Sequence, residues 1–136
     1  LSHEIDYIRW IFGEISLNFV KKDRISNITK DTEDTLYLNG KVKKANLSLD
    51  LNYFSRIPKR LIFVDGKNFS IILDLIANTI KFRSPYKSLT KKIKNLDKNF
   101  TYIEQHRAIL NNNGKNICGF RFANETMRLI DKIKKW

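Results

Sequence analysis

His3 and Asp6 are the first residues whose types and spacing could do chemistry. They stand three positions apart in "LSHEIDYIRWIFGE", and on a helix that spacing places both on one surface, where a carboxylate can orient an imidazole. A histidine with an unperturbed pKa of about 6.5 can accept the proton of a hydroxyl while hydride leaves the same carbon. From spacing alone the alternative is an exposed histidine that takes no part in chemistry.

Other reactive constellations are missing from the sequence. No G-x-G-x-x-G or G-x-x-x-x-G-K-[ST] run occurs, and the 5 glycines fall where turns and helix ends are expected. His3 and His106 are far apart and Cys118 is the single cysteine, so no ligand set at zinc spacing exists and no metal site is expected. A lone thiol forms no intramolecular disulfide and fits a reducing compartment. The apolar neighbours of Cys118 in "NICGF" predict a small buried side chain rather than a nucleophile.

The elements that must position these residues are legible from periodicity. Ile5, Ile8, Trp10, Ile11 and Phe12 recur at helical intervals and Gly13 follows at a helix end. "EISLNFV" alternates, with Ile15, Leu17 and Phe19 on one side. "KANLSLDLNYF" alternates more strongly, with Ala45, Leu47, Leu49, Leu51 and Tyr53 facing a core and Asn46, Ser48, Asp50 and Asn52 facing out. Asn39-Gly40, Asp65-Gly66 and Ala77-Asn78 are predicted turns that join neighbouring strands. "KSLTKKIKNLDKN" reads as a lysine-rich connection. "FTYIEQHRAILNN" is a predicted helix stopped at Asn112, Asn113 and Gly114, in which Tyr102 and His106, four apart, are expected to pack against the sheet, the alternative being a catalytic pair. A last helix takes Asn124 as N-cap and buries Met127, Leu129, Ile130, Ile133 and Trp136. The expected architecture is one α+β domain over 1–136: a mainly antiparallel sheet of about six strands with helices packed on one face. Its open polar face is left for water or for a second subunit.

Composition bounds the partners. A chain of 136 residues with 42% hydrophobic residues can bury a real core despite a net charge of +12. The excess is mostly lysine spread along the chain, and only Tyr86 to Lys98 is dense enough for a patch, so nucleic acid is the secondary reading: a small basic binding module. No apolar run reaches the roughly 20 residues of a membrane span. A cytoplasmic protein is expected.

"SHEIDYIRWIFGEI" resembles the segment that opens the C-terminal domain of the glucose-fructose oxidoreductase / inositol dehydrogenase / MocA family (Gfo/Idh/MocA). The likeness continues through an acidic "EDT" start, the "NG" pair, the "LSLDLNYF" strand and the basic "RIPKR" stretch to "CGFRFANETMRLIDKI". The resemblance implies a C-terminal domain like that of glyceraldehyde-3-phosphate dehydrogenase, within an oxidoreductase acting on a sugar or nucleotide-sugar hydroxyl. It implies that His3 is the acid/base and Asp6 its neighbour. NAD or NADP would be bound by an N-terminal Rossmann domain not contained in this sequence, and the chain alone would be inactive. Homo-oligomers through the open sheet face are implied too. Tyr53, Arg56 and Arg60 follow the strongest strand, where they could meet a sugar hydroxyl, carboxylate or phosphate. The alternative places Tyr53 in the core and leaves both arginines as solvated loop cations.

Overall fold

The computed structural model describes residues 1–28, 31–93, 99–111 and 117–136. The element order is α1 (Ser2–Phe12), β1 (Ile15–Asp23), β2 (Thr35–Val42), β3 (Ala45–Asn52), β4 (Leu61–Gly66), β5 (Phe69–Asp74), β6 (Thr79–Arg83), β7 (Ser88–Lys92), α2 (Phe100–Leu110) and α3 (Phe120–Lys135). This is an α+β fold with antiparallel sheets. Its contacts divide the chain into two compact units, Leu1–Ser55 with Asn112–Trp136, and Arg56–Asn111.

The first unit holds the core. Ile5 and Ile8 of α1, Leu36 and Leu38 of β2, and Leu129 and Ile133 of α3 are all buried there. α1 and α3 thus cover one face of the sheet β1-β2-β3. Alternation does the sorting, since Leu36, Leu38 and Val42 point inward while Tyr37, Asn39 and Lys41 point outward. At the end of α1, Gly13 takes φ 99°, a left-handed conformation that a side chain would strain, and its N–H returns to the Arg9 carbonyl at 2.9 Å. The Lys22 ammonium donates to the Lys134 carbonyl, capping the last turn of α3.

Several local expectations are overturned. Asn39-Gly40 is no turn: both residues sit inside β2, and Gly40 pairs with Leu17 on one side and Leu47 on the other. A Cβ on Gly40 would lie 2.4 Å from the Ser16 carbonyl oxygen, so the glycine admits a close neighbouring strand. The chain reverses instead at Lys43-Lys44, with Lys43 at φ 54°. Asp65-Gly66 likewise closes the β4–β5 ladder, and Lys67-Asn68 make the turn. Ala77-Asn78 does turn, with Asn78 at φ 53°. Phe19 faces outward because the β1 register shifts between Leu17 and Phe19, a bulge that hands the inward place to Val20. Ala45 and Tyr53 are exposed, since the inward run of β3 is confined to Leu47, Leu49 and Leu51.

α3 begins four residues before Asn124, with Gly119 at its N-cap. Contacts with α1, described below, hold that extra turn. Its buried positions are Thr126, Leu129, Ile130 and Ile133, whereas Met127 and Trp136 are exposed. Cys118 is exposed as well.

The second unit is a meander, β4-β5-β6-β7. Phe69 and Phe82 stack with centroids 6.4 Å apart, beside half-buried Ile62, Leu73 and Ile80. The expected connecting segment is instead β7, which pairs antiparallel with β6 from Arg83↔Ser88 to Thr79↔Lys92 and makes seven strands among the described residues. Backbone pairing overrides a side-chain pattern that shows no alternation. In α2, Tyr102 and His106 are exposed and Ala108 is the buried residue, so the helix makes its buried contact through a small side chain. Asn112, Asn113 and Gly114, the expected stop, and Lys94 and Lys98 of the basic stretch lie outside the described residues.

Candidate functional site

α1 presents two chemically different faces. One carries Ile5, Ile8 and Phe12 toward the core; the other exposes His3 and Trp10, two helical turns apart. Asp6 is half-buried at the border between them. Its carboxylate accepts from the Thr126 hydroxyl of α3 at 3.3 Å, so the partner seen for Asp6 is Thr126 rather than His3.

Behind Asp6 lies the residue that the sequence reading missed. Arg9 has no solvent exposure in its side chain, and each of its five N–H groups meets an acceptor. Nη1 donates to the Phe122 carbonyl at 3.0 Å and to the Thr126 hydroxyl at 2.6 Å. Nε and Nη2 form a fork on Glu14, and Nη2 also reaches Glu125 at 3.0 Å. The guanidinium carbon sits 4.5 Å from the centroid of the Phe122 ring. Glu14, then Glu125, hold the guanidinium pKa above its ordinary value against the cost of burial. Arg121, then Arg9, hold the Glu125 carboxyl below its own.

Cys118 flanks this cluster. Its thiol pKa is pushed up by the surrounding protein and then by the Asp6 charge, while the Arg9 charge opposes the rise. A raised pKa leaves little thiolate, which makes it a weak nucleophile in spite of its exposure.

Asp34 forms a second, structural, polar centre. It is buried, and its two carboxylate oxygens accept from the backbone N–H groups of Ile25 at 2.8 Å and Ser26 at 2.7 Å, and from the Ser26 hydroxyl. Its carbonyl accepts from the Tyr53 N–H at 3.0 Å, which ties the end of β3 to the start of β2. Tyr53 itself is 70% exposed and is not a core residue.

Tyr53 belongs to the first unit, and Arg56 and Arg60 are exposed residues of the second. Among the described residues, no group of three or more His, Cys, Asp and Glu is placed for a metal ion. Described glycines stand singly, Gly13 and Gly119 at helix ends and Gly40 and Gly66 within strands, so these residues do not by themselves make a dinucleotide cradle. In the basic stretch, Lys91 and Lys92 are adjacent strand residues and face opposite sides of the sheet, which divides rather than concentrates their charge. No described helix is long and apolar enough to cross a membrane.

Comparison of the fold gives a clear result. UDP-N-acetylglucosamine 3-dehydrogenase GnnA from Acidithiobacillus ferrooxidans superposes with TM-scores of 0.77 and 0.78 in two crystal forms, over 97% and 98% of this chain at 15% identity. The fold is one found in dehydrogenases. The dehydrogenase MviM from Clostridium difficile matches with a TM-score of 0.72 over 98% of the chain at 16% identity. The chain spans 43% to 45% of the length of these structures. No family model matches the sequence, and no curated protein matches it.

Proposed function

We propose that this chain is the C-terminal, substrate-facing domain of a Gfo/Idh/MocA-type oxidoreductase that acts on a sugar or nucleotide-sugar hydroxyl. The observation that carries the reading is the match of 97% of the chain to part of a nucleotide-sugar dehydrogenase. The exposed face of α1 supports it, because His3 stands clear of the core and one turn from Asp6, open to a substrate. In this reading His3 accepts the hydroxyl proton through a ring nitrogen, with Asp6 its neighbour one helical turn along α1. NAD or NADP, held mainly by a Rossmann domain outside these residues, supplies the hydride acceptor. Tyr53, Arg56 and Arg60 are the proposed substrate contacts, and the chain by itself is proposed to be inactive, because hydride transfer needs a cofactor held against the reacting carbon and this reading assigns that hold to the Rossmann domain.

The test is His3→Ala in the full-length enzyme. It should lower kcat by about 10²- to 10⁴-fold, the usual worth of a general base, with cofactor affinity unchanged. Undiminished turnover in that variant would end the assignment.

The same reading includes a homo-oligomer through the open face of the first sheet. Asn46, Ser48, Asp50 and Asn52 are exposed there, and Phe19 and Tyr37 lie edge to face at 6.3 Å on that polar surface. Exposed aromatic side chains on a polar face are what a subunit contact would use. Light scattering should give a mass above one chain, reduced by Tyr37→Arg.

A further inference from the structure

We infer that Arg9 and Thr126 are positioning residues: the buried guanidinium clamps α1 to α3 and directs the Thr126 hydroxyl at Asp6, one turn from His3. The catalytic half of this inference rests on the proposed acid/base role of His3.

Donor chemistry fixes the direction of the chain. Arginine only donates, so the Thr126 oxygen, 2.6 Å from Arg9 Nη1, must accept there. A hydroxyl has one proton, and the other neighbour of this one is the Asp6 carboxylate at 3.3 Å. The proton therefore points at Asp6. That distance is long for an O–H···O bond, so the hydroxyl steers the carboxylate rather than gripping it.

Packing alone does not account for the cluster. A buried ion group is commonly replaced by apolar side chains of similar volume at no loss of stability. What an apolar set cannot reproduce is the saturated fork of Arg9, which reaches Glu14 beyond the end of α1 and Phe122, Glu125 and Thr126 on α3 at once. Arg9 also shares α1 with Asp6 and His3, three and six residues upstream, so the clamp sets the orientation of the helix that carries both.

The experiment uses the full-length enzyme with Thr126→Val, which keeps the shape and removes the hydroxyl, and Thr126→Ser, which restores it. Arg9→Met risks misfolding and is not needed. Thr126→Val should lower kcat by about 2- to 10-fold, the worth of one hydrogen bond, with sugar KM unchanged, and Thr126→Ser should recover the rate. Adding Thr126→Val to Asp6→Asn should cost no further activity. Equal kcat and equal pH profiles in the valine and serine variants would overturn the positioning role. A double-mutant cycle of Asp6→Asn and Thr126→Val in melting temperature gives a readout free of catalysis: non-additive shifts support the hydrogen-bond chain, and additive shifts refute it. Full activity in His3→Ala would instead remove the acid/base reading, and the melting cycle would still decide the chain.

Discussion

A single missing carbon explains why Gly40 stands where it does. With the Ser16 carbonyl 2.4 Å from where a Cβ would sit, Gly40→Ala forces β1 and β2 apart. Chemical denaturation should register a loss of about 1–3 kcal/mol, the range for overpacked sites. The pair Asn39-Gly40 looks like a hairpin turn in sequence because the same glycine suits both uses; only the neighbouring strand distinguishes them. Arg9 was hidden for a related reason. Its place among Ile5, Ile8 and Phe12 marks it as a charge on an apolar stripe, which is a readable anomaly. Its partners on α3, however, lie 113 to 117 residues away and no local pattern names them. His3 stood out in the sequence by its type and its spacing from Asp6; helical periodicity did not set it opposite the core, because Trp10, which shares its exposed face, reads there as an apolar position.

Among the elements, α3 divides most sharply between buried and exposed positions. Ile133 is fully buried and Met127 is 51% exposed. Ile133→Ala should destabilise by about 2–5 kcal/mol, whereas Met127→Ala should stay within about 0.5 kcal/mol; urea midpoints compare the two directly. The sequence suggested Met127 as a core residue and missed Thr126 because apolar character stood in for burial. Arg9 reverses that assignment, giving the buried place to the side chain that accepts its proton. Strands were read well where alternation is strong, as in β3, and lost in β7, where Thr90, Lys91 and Lys92 leave no dry face to recognise.

Across the whole molecule, burial is unevenly shared. The described residues of the second unit include one buried side chain, Ala108, while the first unit holds the contiguous core. Amide exchange should accordingly be slowest in β2, which is hydrogen-bonded on both sides over buried leucines, and fast in β7. Acid should weaken the first unit. Asp34 is held below its ordinary value, 3.8, by the Ser26 hydroxyl and then the Ile25 and Ser26 N–H groups, and Glu125 is held below 4.5. Each carboxylate therefore binds a proton more readily unfolded than folded, so its stabilisation is present above the ordinary value and is lost as pH falls toward the depressed one. Urea midpoints should change little on this account from pH 7 to about 5 and fall below about 4.5. Asp34→Asn should flatten part of that slope. The division into two units had no counterpart in the sequence, where no linker-like run of glycine, proline and serine marks the boundary near Ser55.

Among the described residues β7 ends its sheet, and an edge strand offers its ladder to any other extended chain. Lys91 and Lys92 stand on that strand with one ammonium on each side of the ribbon, an arrangement that would repel the approach of an identical ribbon. Their cost to local order is repaid in colloidal behaviour. Replacing both with valine should leave the native fold intact yet shorten the lag before fibrillar material scatters light, most visibly in dilute salt, where the lost repulsion reaches farthest.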